Sequence, residues 1–161
     1  MKIIAFVGAS ESGKTRLIAR LVPALKRRGL AVAVVKHCGH GFDLGGPAKD
    51  SSKFLAAGAD GVALAGPDRT AVICKARRRI SLVALARREF AGADIVLVEG
   101  GKSDRALRKI EVMRSGVSED LLTPPGELAA IVADRPVAGV VVPWFSPDRV
   151  DEIADWLTGT K

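Results

Sequence analysis

The sequence predicts an α/β fold: a mostly parallel central sheet flanked by helices, with one β-hairpin inserted. Three observations carry this expectation. Short continuous apolar runs suit strands buried on both faces. Stretches with helical apolar spacing lie between them. A Gly-rich segment joins the first run to the first helix. A length of 161 residues with 48% hydrophobic content suits one domain spanning the whole chain, with a substantial core.

Residues 3–7 are a continuous apolar run ending at Gly8, as expected of a central parallel strand. After Gly13, the residues Leu17, Ile18, Leu21, Val22 and Leu25 recur at helical spacing, with Arg16, Arg20, Lys26 and Arg27 on the other side. Pro23 predicts a bend or an early end, and Gly29 a stop. Residues 31–35 are expected to form a second buried strand, closing a strand–helix–strand unit for which a right-handed crossover is strongly favoured. Residues 37–49 are Gly-rich and aperiodic, the pattern of a long functional loop, and a short helix is expected over 50–57. Residues 62–64 and 71–74 flank a Gly-Pro-Asp-Arg turn, which predicts the hairpin. A helix follows over 81–90. Residues 95–98 are an apolar strand with Glu99 at its carboxyl end, and further strands are expected over 110–113, 128–132 and 137–142. Residues 147–157 predict a closing helix with Ser146 as N-cap and Pro147 in its first position.

Composition excludes several classes of function. No apolar stretch approaches the roughly 20 residues of a membrane span, and the opening run is too short for a secretory signal. Cys38 and Cys74 are too few for a disulfide framework, so a cytoplasmic location is expected. The net charge of +7 attracts anions. With aromatics at 4% and no Tyr, the stacking platform used to hold single-stranded nucleic acid is missing, so nucleic acid is not the expected partner. Lys75, Arg77, Arg78 and Arg79, with Arg87, Arg88, Lys102, Arg105, Arg108 and Lys109, read either as a solvated face or as a surface for an anionic ligand or acidic partner.

The chemistry concentrates in Gly8, Ala9, Ser10, Glu11, Ser12, Gly13, Lys14 and Thr15, a complete GxxxxGK pattern closed by Thr between a predicted strand and a predicted helix. The two glycines let successive backbone N–H groups converge on phosphate oxygens at a helix N-terminus. Lys14 is expected to meet the β and γ phosphates, and Thr15 to offer a hydroxyl to magnesium. This makes the predicted fold a P-loop NTPase. Glu99, ending a neighbouring strand, is the candidate carboxylate for the metal and, with Lys14, for catalysis. His37, Cys38, His40 and Asp43 are all potential ligands, but their spacing fits no recurrent zinc pattern. They are expected to form a loop near the γ-phosphate or a second substrate, with Asp43 reaching magnesium indirectly, or a solvated loop with no special role.

Four blocks in this order resemble the MobB family of molybdopterin-guanine dinucleotide biosynthesis adapter proteins: GASESGKTRLIARLVPALKRRG, then VVKHCGHGFD with GPAKDS downstream, then DIVLVEGGK, then KIEVMR. They span most of residues 3–114. Gly41, Ala48, Gly101 and Arg108 depart from the family pattern, which favours His, Gly, Phe and Pro at those places. The resemblance implies a dimeric GTPase of weak intrinsic activity, assisting the guanylyltransferase that attaches GMP to molybdopterin. Molybdopterin or its guanine dinucleotide would be a ligand. The competing reading is a small-molecule kinase, since the same loop can position a γ-phosphate for transfer.

Two more expectations follow. Asp134, at the carboxyl end of the strand over 128–132, is proposed to read guanine by accepting from N1–H and the exocyclic amine, or else it merely turns the chain before Pro136. A homodimer is expected from the resemblance and from the hairpin, whose outer edge invites pairing.

Overall fold

A computed structural model describes residues 1–42, 50–76 and 80–159. Asp43 and the basic residues Arg77, Arg78 and Arg79 lie outside the described residues. The chain forms two compact units: Met1–His37 together with Ser81–Lys161, and Cys38–Ile80.

The first unit is a six-stranded sheet, every neighbouring pair parallel. Its strands are β1 (Lys2–Val7), β2 (Val32–Lys36), β5 (Ile95–Glu99), β6 (Lys109–Val112), β7 (Leu128–Val132) and β8 (Trp144–Phe145), in the spatial order β2-β5-β1-β6-β7-β8. Alternation along β1 divides the core. Ile4 and Phe6 pack with helix α1 (Lys14–Arg27) and helix α4 (Val150–Thr158), while Ala5 and Val7 pack with Leu82 and Ala86 of helix α3 (Leu82–Glu89). Phe6, Leu21 and Leu25 are fully buried in the first layer, each stabilising the fold by about 1.5–3 kcal/mol. Ser81 caps α3, its hydroxyl accepting from the Ala84 N–H.

α1 buries Leu17, Ile18, Leu21, Ala24 and Leu25 on one stripe, as its spacing predicts. Of the bend or early end expected at Pro23, the early end does not occur: the helix continues to Arg27. The proline and Ala19, whose carbonyl would have accepted a hydrogen bond from an N–H at position 23, both lie on the exposed face, where solvent can take the place of the missing donor. The helix stops where Gly29 takes φ +80° and its N–H bonds the Lys26 carbonyl.

Three other expectations are corrected. β2 is an edge strand separated from β1 by β5, with only Val35 fully buried, so the strand buried on both faces next to β1 is β5. Residues 137–142 are not a strand. Gly139 turns the chain at φ +75°, and Val137, Val140 and Val142 cover Met113, Leu128, Ile131 and Ala133 while Val141 faces solvent. The last strand is instead Trp144–Phe145, beside Ile131 and Val132. The closing helix starts at Val150 rather than at 147, because Ser146 is spent on a preceding turn: its hydroxyl accepts from the Asp148 N–H and its carbonyl from the Arg149 N–H. Arg28 bridges Asp151 and Asp155 across α1 and α4.

The second unit holds helix α2 (Asp50–Ala56) and the predicted hairpin, β3 (Gly61–Ala65) paired antiparallel with β4 (Thr70–Cys74). The turn closes by the Gly66 N–H on the Arg69 carbonyl. No described residue of this unit is fully buried, and Phe54, Leu64 and Val72 are 58%, 49% and 70% exposed. Among the described residues of the chain, no helix is long and apolar enough to cross a membrane.

Candidate nucleotide site

Parallel pairing lines up the carboxyl ends of the strands on one edge of the sheet, the edge where open α/β sheets bind ligands. There Glu99 of β5 lies beside Phe6 of β1 on one side and Lys36 of β2 on the other. The loop leaving β1 at this edge folds back with Gly8 at φ +143°, Glu11 at +62° and Gly13 at +94°. A Cβ on Gly8 would stand 2.2 Å from the Val112 carbonyl oxygen, so only glycine lets the loop cross the end of β6. Gly13 is the N-cap of α1 and no side chain caps it. The N–H groups of the first turn are therefore available to an anion, and the helix dipole favours one there. Ala9 and Gly8 supply carbonyls to the inner side of the loop, Ser10 and Glu11 are exposed at its tip, and Ser12 is buried.

The Lys14 ammonium donates to the carbonyls of Ala9 and Gly8 and to the Ser12 hydroxyl, closing the loop around itself. Burial depresses this ammonium below the ordinary lysine value; Glu99 works against the shift and Lys36 with it. A phosphate entering the loop offers a better partner than these neutral oxygens.

Thr15 and Glu99, 84 residues apart in sequence, meet directly: the hydroxyl donates to Oε1 at 2.8 Å. The same oxygen lies 3.2 Å from the Lys36 ammonium. A hydroxyl and a carboxylate oxygen beside this glycine-bounded loop are the hard donors that magnesium takes, so the residues fit that ion. The Gly100 N–H bonds the Phe6 carbonyl and the His37 N–H bonds the Glu99 carbonyl, fixing the end of β5 against both neighbours. Lys36 was not among the expected site residues; its signals were a place just after the strand expected over 31–35 and within the VVKHCGHGFD block.

On the other side of the loop, Asp134 leaves β7 and lines a cavity of about 310 Å³ with Ser12, Gly13, Arg16, Arg20 and Arg114. Both its carboxylate oxygens accept from the Ser115 N–H, at 3.3 and 3.1 Å. Burial alone would raise this carboxyl. Hydrogen bonds from its own amide and from Ser115, with the Arg114 charge nearby, outweigh that and hold it below the ordinary aspartate value. The segment carrying Arg114 and Ser115 is anchored by the KIEV block. The fully buried Glu111 accepts from the Leu122 and Thr123 N–H groups at 2.7 and 2.8 Å. Lys109, expected on the basic surface, is instead fully buried and paired with Glu127 and the Asp104 carbonyl. A charged lysine tolerates such burial only with partners of this kind.

Asp43 lies outside the described residues. Among the described residues, no three His, Cys, Asp or Glu side chains gather into a metal site.

The family model for MobB, molybdopterin guanine dinucleotide synthesis protein B, matches residues 3–134. A molybdopterin-guanine dinucleotide biosynthesis adapter protein of Escherichia coli (strain K12) is 31% identical over 160 residues, covering 96% of this chain and 90% of that protein. The adapter protein of the same name from Haemophilus influenzae is 30% identical over 156 residues, covering 96% and 86%. The crystal structure of Bacillus subtilis MobB shares the fold with a TM-score of 0.73 at 27% identity, covering 99% of this chain and 98% of that one. Matched over most of its length in sequence and over nearly all of it in fold, the chain belongs to the MobB family.

Proposed function

We propose that this chain is a cytoplasmic GTP-binding adapter in molybdenum cofactor biosynthesis. It binds GTP with magnesium, hydrolyses it slowly, and assists the guanylyltransferase that converts molybdopterin to molybdopterin guanine dinucleotide. The observation that carries the reading is the 2.8 Å contact of Thr15 with Glu99 beside a glycine-bounded phosphate loop, in a chain of this family. In this reading the backbone from Gly8 to Thr15 cradles the phosphates, Lys14 takes the β and γ oxygens, and Thr15 and Glu99 hold the metal. Magnesium, when bound, neutralises charge on the phosphate oxygens. Strands from both sides of the 38–80 segment share one sheet, which supports one nucleotide-binding domain carrying that segment as an insertion.

The test has two arms. Immobilised chain loaded with GTP should retain the molybdopterin guanylyltransferase from a cell extract, and loss of that enzyme from the bound fraction would count against the adapter role. Purified chain should release phosphate from GTP in preference to ATP, and Glu99→Gln should lower that rate roughly tenfold or more while preserving the fold, because a neutral amide is a poor partner for a hard cation. An unchanged rate across a magnesium titration would remove Glu99 from the site.

The proposed assembly is a homodimer. β3 and β4 form a two-stranded sheet with no further strand on either outer edge among the described residues, and Leu64 and Val72 are exposed on it. Light scattering at micromolar concentration should give twice the mass of one chain; the mass of a single chain, with and without GTP, would overturn this.

A further inference from the structure

We propose that Lys36 is a second phosphate-binding cation, held on Glu99 while the terminal phosphate is absent and serving that phosphate when a triphosphate is bound. The proposal rests on the nucleotide site described above and goes beyond it by assigning the residue that tells a triphosphate from a diphosphate. Glu99 Oε1 receives two donors at once, the Thr15 hydroxyl at 2.8 Å and the Lys36 ammonium at 3.2 Å. The ammonium thus stands at the carboxylate oxygen nearest Thr15, beside any divalent cation that Thr15 and Glu99 would hold. Both cations cannot share that oxygen closely without strong repulsion.

Lys36 can leave and return. It ends edge strand β2, its side chain is 59% exposed, and the flexible four-carbon stem lets the head move by several ångströms. Glu99, by contrast, is 13% exposed and its backbone is tied to both neighbouring strands, so the carboxylate stays and the ammonium moves. A bound triphosphate would bring the anion that suits the displaced head. Lys36 and Thr15 meet on one oxygen of Glu99, and Thr15 directly follows Lys14, whose ammonium donates to the Gly8 and Ala9 carbonyls of the glycine-bounded loop. In a bound triphosphate, the terminal phosphate is the group that borders both Lys14 and the metal donors. A diphosphate leaves that volume empty, so Lys36 gains nothing from it.

The experiment is calorimetric binding of GTP and of GDP, each with magnesium, to the full chain and to Lys36→Met and Lys36→Arg. Methionine keeps the stem and removes the charge at an exposed position, and circular dichroism checks that the fold is retained. Lys36→Met should lose about tenfold or more in GTP affinity, the scale of one hydrogen bond to a charged group, with GDP affinity changed less than about twofold. Lys36→Arg should recover most of the GTP affinity. Equal losses for GTP and GDP, or no loss for either, would overturn the assignment while leaving the nucleotide site standing. If the unaltered chain binds neither nucleotide, the site itself fails and the role of Lys36 fails with it.

Discussion

Lys14→Ala should weaken binding of GTP by roughly 10²-fold and binding of GDP by about tenfold or less, the difference reflecting charge-assisted bonds to the terminal phosphate. The ammonium now spends its three protons on the carbonyls of Ala9 and Gly8 and on the Ser12 hydroxyl. These neutral acceptors hold the head in the mouth of the loop, and burial disfavours its charge there. A phosphate oxygen reverses both conditions by offering a full negative charge at hydrogen-bond distance. The loop itself should survive the substitution, because its path is set by Gly8 passing the Val112 carbonyl and by Gly13 capping α1. Isothermal titration with GTP and GDP in magnesium checks the expectation, and equal losses for the two nucleotides would show that Lys14 does not reach the terminal phosphate. The Lys36 experiment has the same form but a smaller expected loss, so the two variants rank the cations around one phosphate.

Asp134→Asn should lower GTP affinity by roughly 10²-fold and raise the relative affinity for xanthosine triphosphate, whose C2 carbonyl accepts from the new amide. The aspartate leaves β7 at the ligand-binding edge of the sheet and lines the cavity that also touches Gly13. Its hydrogen bonds with the Ser115 N–H do not exhaust it: an ionised carboxylate has about four acceptor positions, enough to keep Ser115 and still take the N1–H and amino donors of guanine. The group is held below the ordinary aspartate value, so it is ionised and acceptor-only at neutral pH. Adenine presents no matching pair of donors, which is the source of the expected discrimination. Competition binding among GTP, ATP and xanthosine triphosphate decides the matter. An unchanged order of preference in the variant would leave Asp134 as a clamp on the segment after β6 and send the search for the base-reading group elsewhere.

The sequence by itself determined the features that depend on neighbours a few residues apart. The apolar run before Gly8, the helical stripe of Leu17, Ile18, Leu21 and Leu25, the Gly-Pro-Asp-Arg hairpin turn and the full strand over Leu128–Val132 are all local patterns, and each appears where its period or turn chemistry puts it. The glycine-bounded loop between β1 and α1 was legible for the same reason: strand, glycine, glycine, lysine and helix are contiguous. Tertiary structure decided what depends on which strands become neighbours. Periodicity does not say that β5 lies between β1 and β2, and only that order brings Thr15, Glu99 and Lys36 to one oxygen. Nor does it distinguish Lys109, drawn into the core by Glu127 and the Asp104 carbonyl, from the exposed basic residues around it. The valines of residues 137–142 look like a strand from their composition. They cover a small apolar cluster instead, because Gly139 turns the chain and the place beside β7 is taken by Trp144–Phe145. Local propensity marks most of the elements, whereas burial, pairing partners and the elements that depend on them are settled only when the whole sheet closes.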